Sequence, residues 1–217
     1  MANLYNRKPS DTYKSLLKVG TSDNQSLDST ARVVEDGEGT ASILYLSTSE
    51  VQIKAVTATS PGGGFDAATT TSYVSKLNGE IVSTFLIDIG GGSIISSSDT
   101  GDVIGEDGIA NAYFTRVVTA INGTVYGGEM SCIEVPTTGD ADINLCANSS
   151  GTIAEDAGGE SQHVLVDGGT WTLGKKADLT IPSGGIQTDY LYLTHGGTTN
   201  GIYNAGKFII KLYAANF

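Results

Sequence analysis

The chain has 217 residues, among them 29 glycines and four prolines, and is 39% apolar but only 17% charged, where about a quarter charged is usual. Twelve basic against 24 acidic side chains give a net charge of −12, which repels a phosphate backbone and argues against nucleic-acid binding. No run of roughly 18 apolar residues is present to make a membrane helix, and the opening Met1-Ala-Asn-Leu-Tyr-Asn-Arg-Lys-Pro9 lacks the apolar core of a signal peptide. A soluble, unprocessed chain with no membrane partner is therefore expected.

The acidity is uneven. Residues 1–60 hold six basic and seven acidic groups, whereas 61–217 hold six and seventeen, a net of −11. A near-neutral opening ahead of a strongly acidic body suits a docking portion joined to an outward, soluble one. Cys132 and Cys146 lie outside any CxxC or Cys/His pattern, so buried free thiols in a reducing cytoplasm are expected.

In chain order, Asp11-Thr-Tyr-Lys-Ser-Leu-Leu-Lys-Val19 reads equally as a short helix capped by Ser10 or Asp11 and as a strand. Ala31-Arg-Val-Val34, Ser42-Ile-Leu-Tyr-Leu46 and Val51-Gln-Ile-Lys54 are β-type runs separated by Glu35-Asp-Gly-Glu-Gly39 and Ser47-Thr-Ser49, which carry turn chemistry. This predicts a small β unit over residues 1–56, too short to bury much surface by itself. Residues 57–80 contain Pro61, three adjacent glycines and little to bury besides Phe65, so they read as a Gly/Thr/Ser-rich linker.

Residues 81–217 read as an acidic β domain. Predicted strands cover 81–89, 112–121, 124–135, 143–146, 163–166, 177–181, 189–194 and 207–213. Asn122-Gly123 between two such runs predicts a type I′ hairpin, which would place Arg116 opposite Glu129, with a possible bulge at Gly127-Gly128. Strands with Gly-rich turns and no convincing helix predict an all-β fold: the small N-terminal unit followed by an antiparallel β-sandwich of jelly-roll kind.

Chemistry is sparse. His163 and His195 are the only histidines, and Ser93 in Gly91-Gly-Ser-Ile-Ile95 lacks the second glycine and the helix of a nucleophile elbow. Gly90-Gly-Gly92 has no phosphate-loop continuation and reads as a plain loop. Asp99, Asp102, Glu106 and Asp107 in one turn-rich segment offer oxygen ligands of the kind calcium uses, without EF-hand spacing; the Glu35 to Gly39 turn is a weaker version. Nothing fixes a carboxylate pair for glycoside cleavage, and Trp171 stands alone without an aromatic platform. The sequence thus names no catalytic, cofactor or metal residue, and a non-enzymatic protein is expected.

Asp11-Thr-Tyr-Lys-Ser-Leu-Leu-Lys-Val19, Val33-Val-Glu-Asp-Gly-Glu-Gly-Thr-Ala-Ser42 and Leu44-Tyr-Leu-Ser-Thr48 closing on Val51-Gln-Ile53 resemble the virion-anchoring segment that opens many tailed-phage fibre and head-fibre proteins. The stretch from Tyr113 through Tyr190-Leu-Tyr-Leu193 to Ala205-Gly-Lys-Phe-Ile-Ile-Lys-Leu-Tyr213 is similar to β domains of small structural proteins of marine and cyanobacterial phages. The resemblance implies a homotrimeric virion protein, assembled in the host cytoplasm and fixed to the major capsid protein or another virion protein through its first 55 or so residues. It departs from a fibre in having no shaft repeat, which favours a capsid decoration, cement or head-fibre protein over the alternative of a tail fibre, spike or adaptor. The residues expected to be covered by strand addition are Tyr13, Leu16, Leu17, Val19, Val33, Val34, Leu44, Leu46, Val51 and Ile53.

Overall fold

A computed structural model describes residues 17–19, 27–36, 39–49, 51–53, 59–159 and 162–216. The chain is all-β and divides into two compact units, Met1–Ala55 and Val56–Phe217. The first contains β1 (Lys18–Val19), β2 (Arg32–Glu35), β3 (Ala41–Leu46) and β4 (Val51–Ile53), paired antiparallel in sequence order. Lys18 and Val19 therefore belong to a strand; residues 11–16 of the segment that read as helix or strand lie outside the described residues.

The second unit starts with a 3-10 turn (Gly63–Phe65), then β5 (Thr69–Leu77), β6 (Glu80–Asp88), β7 (Ile94–Ser96), β8 (Gly105–Glu106) and β9 (Thr115–Arg116). A one-turn helix α1 (Thr119–Asn122) leads to β10 (Thr124–Thr137), β11 (Ile143–Asn148), β12 (His163–Val166), β13 (Lys176–Asp178), β14 (Tyr190–His195), β15 (Gly201–Ile202) and β16 (Ala205–Ala215). Two antiparallel sheets, β13-β10-β16-β6-β5 and β12-β11-β14-β9, contribute to one core, and β15-β7-β8 forms a smaller third sheet.

Alternation explains the packing. Along β16, Phe208, Ile210, Leu212 and Ala214 are buried while Lys207, Ile209, Lys211 and Tyr213 are half-buried on the other face, the period of two that a sheet with one covered face requires. Phe208 meets Trp171 edge-on at 5.5 Å, and Phe85 of β6 meets Phe114 at 5.6 Å. These edge-to-face contacts are preferred ring geometries. The second sheet is covered on both sides: β11 is buried at all six positions. Ile143, Leu145 and Ala147 enter the main core, while Tyr192 of the neighbouring β14 joins Val103 and Ala112 in a separate cluster.

Two expectations are corrected. Residues 57–80 do not form a linker throughout, because Phe65 is fully buried and β5 pairs with β6 along nine consecutive positions. Its run of Thr and Ser at 69–72 resembles linker composition, but β-branched threonine fits a pleated surface. The Asn122-Gly123 hairpin is absent as well. Gly123 has a φ of 69°, while Asn122 ends α1, so the two positive φ angles of a type I′ turn are not met. Asn122 Oδ1 accepts the Val118 N–H at 2.8 Å and its amide donates to Ser83 Oγ at 2.8 Å. This buried amide closes the turn locally instead of reversing the strand. Consequently β10 pairs with β16 and β13, Glu129 lies opposite Lys211 and Asp178, and Arg116 lies opposite Tyr190. The expected bulge at Gly127-Gly128 is not found there: both glycines pair in continuous register with Tyr213 and Leu212, and the register shift against β16 lies between Val125 and Gly127.

Candidate functional site

Among the described residues of the N-terminal unit, most apolar side chains are half-buried or exposed. Arg32 opposes Leu46, and Leu46 opposes Val51, so strand alternation places Leu44, Leu46 and Val51 on one face. Val34, two residues beyond Arg32, faces the same way and pairs with Val19 of β1. Val33 opposes Tyr45 on the other face, and Ile53 pairs with Leu44 in the β3–β4 ladder. Among the unit's described residues only Val34 and Glu35 are buried. Val19, Val33, Leu44 and Leu46 are half-buried, whereas Leu17 is 69% and Val51 66% exposed. Tyr13 and Leu16 lie outside the described residues. Leu27, outside the strands, is a further exposed apolar side chain at 45%; its signal in the sequence is faint, a single leucine among polar neighbours.

Local polar bonds hold the turns. The Thr40 N–H donates to Asp36 Oδ1 at 2.8 Å, and the Asp36 N–H donates to the Thr40 carbonyl at 3.1 Å. Gly39 supplies the left-handed φ of 88° that closes this turn, which accounts for the glycine after the acidic residues. Asp28 pairs with Arg32 and accepts the Thr30 N–H. That backbone hydrogen bond, with Arg32 adding to it against the cost of desolvation, holds the Asp28 carboxyl below the usual carboxylate range.

The second unit gathers its polar side chains at the start of β15 and the ends of β7 and β14. His195 is fully buried; its Nε2 is 3.1 Å from Ser97 Oγ and its Nδ1 is 3.2 Å from the Gly197 carbonyl. Ser97 Oγ donates to Asp102 Oδ2 at 3.0 Å. A hydrolytic triad places the carboxylate on the imidazole and leaves the hydroxyl open to substrate; here the hydroxyl is buried and bridges the other two groups. Nearby, Asp140 Oδ1 accepts the Asp142 N–H at 2.8 Å and Oδ2 accepts the Thr199 N–H at 2.9 Å. Ser96 Oγ donates to the Thr199 carbonyl at 2.7 Å, and Tyr203 donates its hydroxyl to the Asp140 carbonyl at 2.9 Å. The cluster ties three distant segments together. Ser93 is exposed and His163 half-buried.

Comparison with protein-family models, curated proteins and solved structures gives no match to this chain. Its function has to be argued from its own residues. The acidic loop is organised by protein contacts: Asp102 accepts from Ser97, while the Gly108 N–H donates to Glu155 Oε2 at 3.3 Å. Burial pushes the Glu155 carboxyl up, and the charges of Asp156, Asp107 and Asp102 add to this against the Gly108 hydrogen bond. Among the described residues no group of three or more His, Cys, Asp or Glu side chains converges as a metal site would require. Both cysteines are buried and neither forms a disulfide, with Cys132 Sγ donating to the Glu134 carbonyl at 3.3 Å; burial raises the Cys132 thiol.

Proposed function

We propose that this chain is a non-enzymatic structural protein of a tailed-phage virion, a capsid decoration, cement or head-fibre protein whose N-terminal unit docks on the major capsid protein or a neighbouring virion protein. The observation that carries the reading is the imbalance within that unit: its strands and the residue before β1 carry Leu44, Leu46, Val51 and Leu17, half-buried or exposed, and among its described residues Val34 is the only buried apolar side chain. Apolar side chains left at a surface gain about 25 cal/mol per Å² when a partner covers them. A short sheet also offers edges to which a neighbour's strand can add. The resemblance of the same residues to virion-anchoring segments points to a shell protein as the partner. The acidic second unit, with its closed core, suits an outward body that stays soluble and resists non-specific association.

The test uses particles of the phage that encodes the chain, with the protein supplied in wild-type form or as the double variant Leu17→Asp, Val51→Asp. Both positions are exposed, so the variant is expected to keep its fold. Wild type is expected to occupy the shell and to raise the temperature at which particles open, and the variant to lose occupancy by at least about tenfold. Density confined to the tail would favour the fibre, spike or adaptor reading. Equal shell occupancy by the two forms would overturn docking through this unit.

A further inference from the structure

We propose that β5 is a self-association edge, at which two copies of this chain pair antiparallel about a twofold axis at Tyr73 and extend the five-stranded sheet across the contact. Every other edge strand among the described residues is short. β1 has two residues, β4 three, β8 two, β9 two, β12 four, β13 three and β15 two. β9 is moreover accompanied by Thr59, whose Oγ1 accepts the Arg116 N–H at 2.7 Å and donates to the Arg116 carbonyl at 3.0 Å. β5 runs for nine residues, is paired with β6 in one unbroken register, and has no strand on its other side among the described residues. Natural sheets blunt long edges with proline, bulges or several charges. Thr69-Thr-Thr-Ser-Tyr-Val-Ser-Lys-Leu77 has a single charge, Lys76, and no proline or bulge.

The strand's own chemistry selects a second copy as the occupant. A twofold at Tyr73 sets Thr69 opposite Leu77, Thr71 opposite Ser75, Ser72 opposite Val74 and Tyr73 opposite its mate. No carboxylate is opposed to another, which matters in a body where acidic groups dominate. The same register sets Thr70 opposite Lys76 of the second copy. Thr70 Oγ1 is buried without a hydrogen-bond partner, in a crevice of about 210 Å³ that Thr59, Ser60, Pro61, Ser72, Phe85 and Phe114 also line. Lys76 donates to the Ala120 carbonyl at 3.2 Å and has further N–H groups to offer. One symmetric register thus brings a donor to an orphaned hydroxyl at both ends of the contact. Tyr73 and Leu77, 48% and 69% exposed, then lie beside Tyr73 and Thr69 of the second copy on one face of the extended sheet.

Cysteine cross-linking of the full chain reads this register directly. Residues opposed in an antiparallel ladder have Cα atoms about 4.5–5.5 Å apart, within disulfide range, and both native thiols are buried. Tyr73→Cys is expected to form a disulfide-linked dimer under mild oxidation, Leu77→Cys alone to stay unlinked, and Thr69→Cys with Leu77→Cys together to link. In sedimentation of the full chain, Tyr73→Lys, which sets two ammonium groups face to face, is expected to weaken self-association on the order of tenfold. Linking of Leu77→Cys to itself, no linking of Tyr73→Cys, a monomer at high concentration, or a trimer indifferent to Tyr73→Lys would each overturn the proposal. None of these outcomes bears on shell occupancy, so failure here is distinguishable from failure of docking through the N-terminal unit.

Discussion

Glu129→Gln removes a charge held in place by three neighbouring side chains on the outer face of the five-stranded sheet. The Glu129 side chain is only 11% exposed; it pairs with Lys176, receives Lys211 Nζ at 3.1 Å and accepts a hydrogen bond from Tyr213. Lys176 foremost, with Tyr213 and Lys211, outweighs the cost of burial and holds this carboxyl down at about 2 against an ordinary 4.5. A displacement of that size corresponds to at most about 3 kcal/mol. The side chains of Lys176 and Lys211 are 53% and 37% exposed, so water screens the attraction and about 1–2 kcal/mol is expected to remain. Because the folded value is depressed, this stability is present in full above the ordinary carboxylate range and is lost as pH falls from about 4.5 toward 2. Urea unfolding followed by the fluorescence of Trp171, the one tryptophan, measures it. The gap between wild type and Glu129→Gln is expected to be about 1–2 kcal/mol near neutrality and to close steadily through that acid window. A gap that stays constant with pH, or none at neutrality, would refute the electrostatic account.

Other positions give sharper structural tests. A Cβ on Gly168 would lie 2.1 Å from the Ile143 carbonyl oxygen and 2.4 Å from Trp171 Nε1, so Gly168→Ala is expected to cost about 1–3 kcal/mol of unfolding free energy; Gly127→Ala, with nothing within 4 Å, is expected to change it by less than about 0.5 kcal/mol. Asn122→Ala leaves the Val118 N–H and Ser83 Oγ without their amide partner and should cost about 1–3 kcal/mol in the same assay. Cys132 and Cys146 are buried, so a thiol reagent is expected to label both only after denaturant unfolds the second unit; rapid labelling of the native chain would contradict that burial.

Much of the fold follows from strand patterning that the sequence displays openly. The alternation of Phe208, Ile210 and Leu212 identifies the central β16 and its buried face, and the apolar runs at 81–89 and 143–146 correspond to β6 and β11. β5 was hidden because an exposed edge strand needs few apolar residues, and Thr69 to Ser72 carry none. Local pattern likewise does not reveal a side chain's use at a distance. Asn122 spends its amide on Val118 and Ser83, and that choice removes the hairpin and sends β10 to β16. The bridge from His195 through Ser97 to Asp102 joins positions 98 residues apart, and no short-range spacing announces it. In the N-terminal unit the apolar positions were readable, but their exposure was not. Among the described residues Leu17 and Val51 are two of the most exposed apolar side chains while Val34 is buried, a difference set by place in the sheet: Val34 sits in β2 between β1 and β3, Val51 in the edge strand β4, and Leu17 ahead of β1.

Amide hydrogen exchange on the full free chain tests most directly whether the N-terminal unit lacks a closed core. Exchange by local opening tracks buried contacts, so the amides of Arg32–Glu35 and Ala41–Leu46 are expected to exchange orders of magnitude faster than those at the centre of β6 and β16. Protection of β2 and β3 equal to that of β16, at a concentration where the chain is monomeric, would show a self-sufficient unit and contradict the docking account.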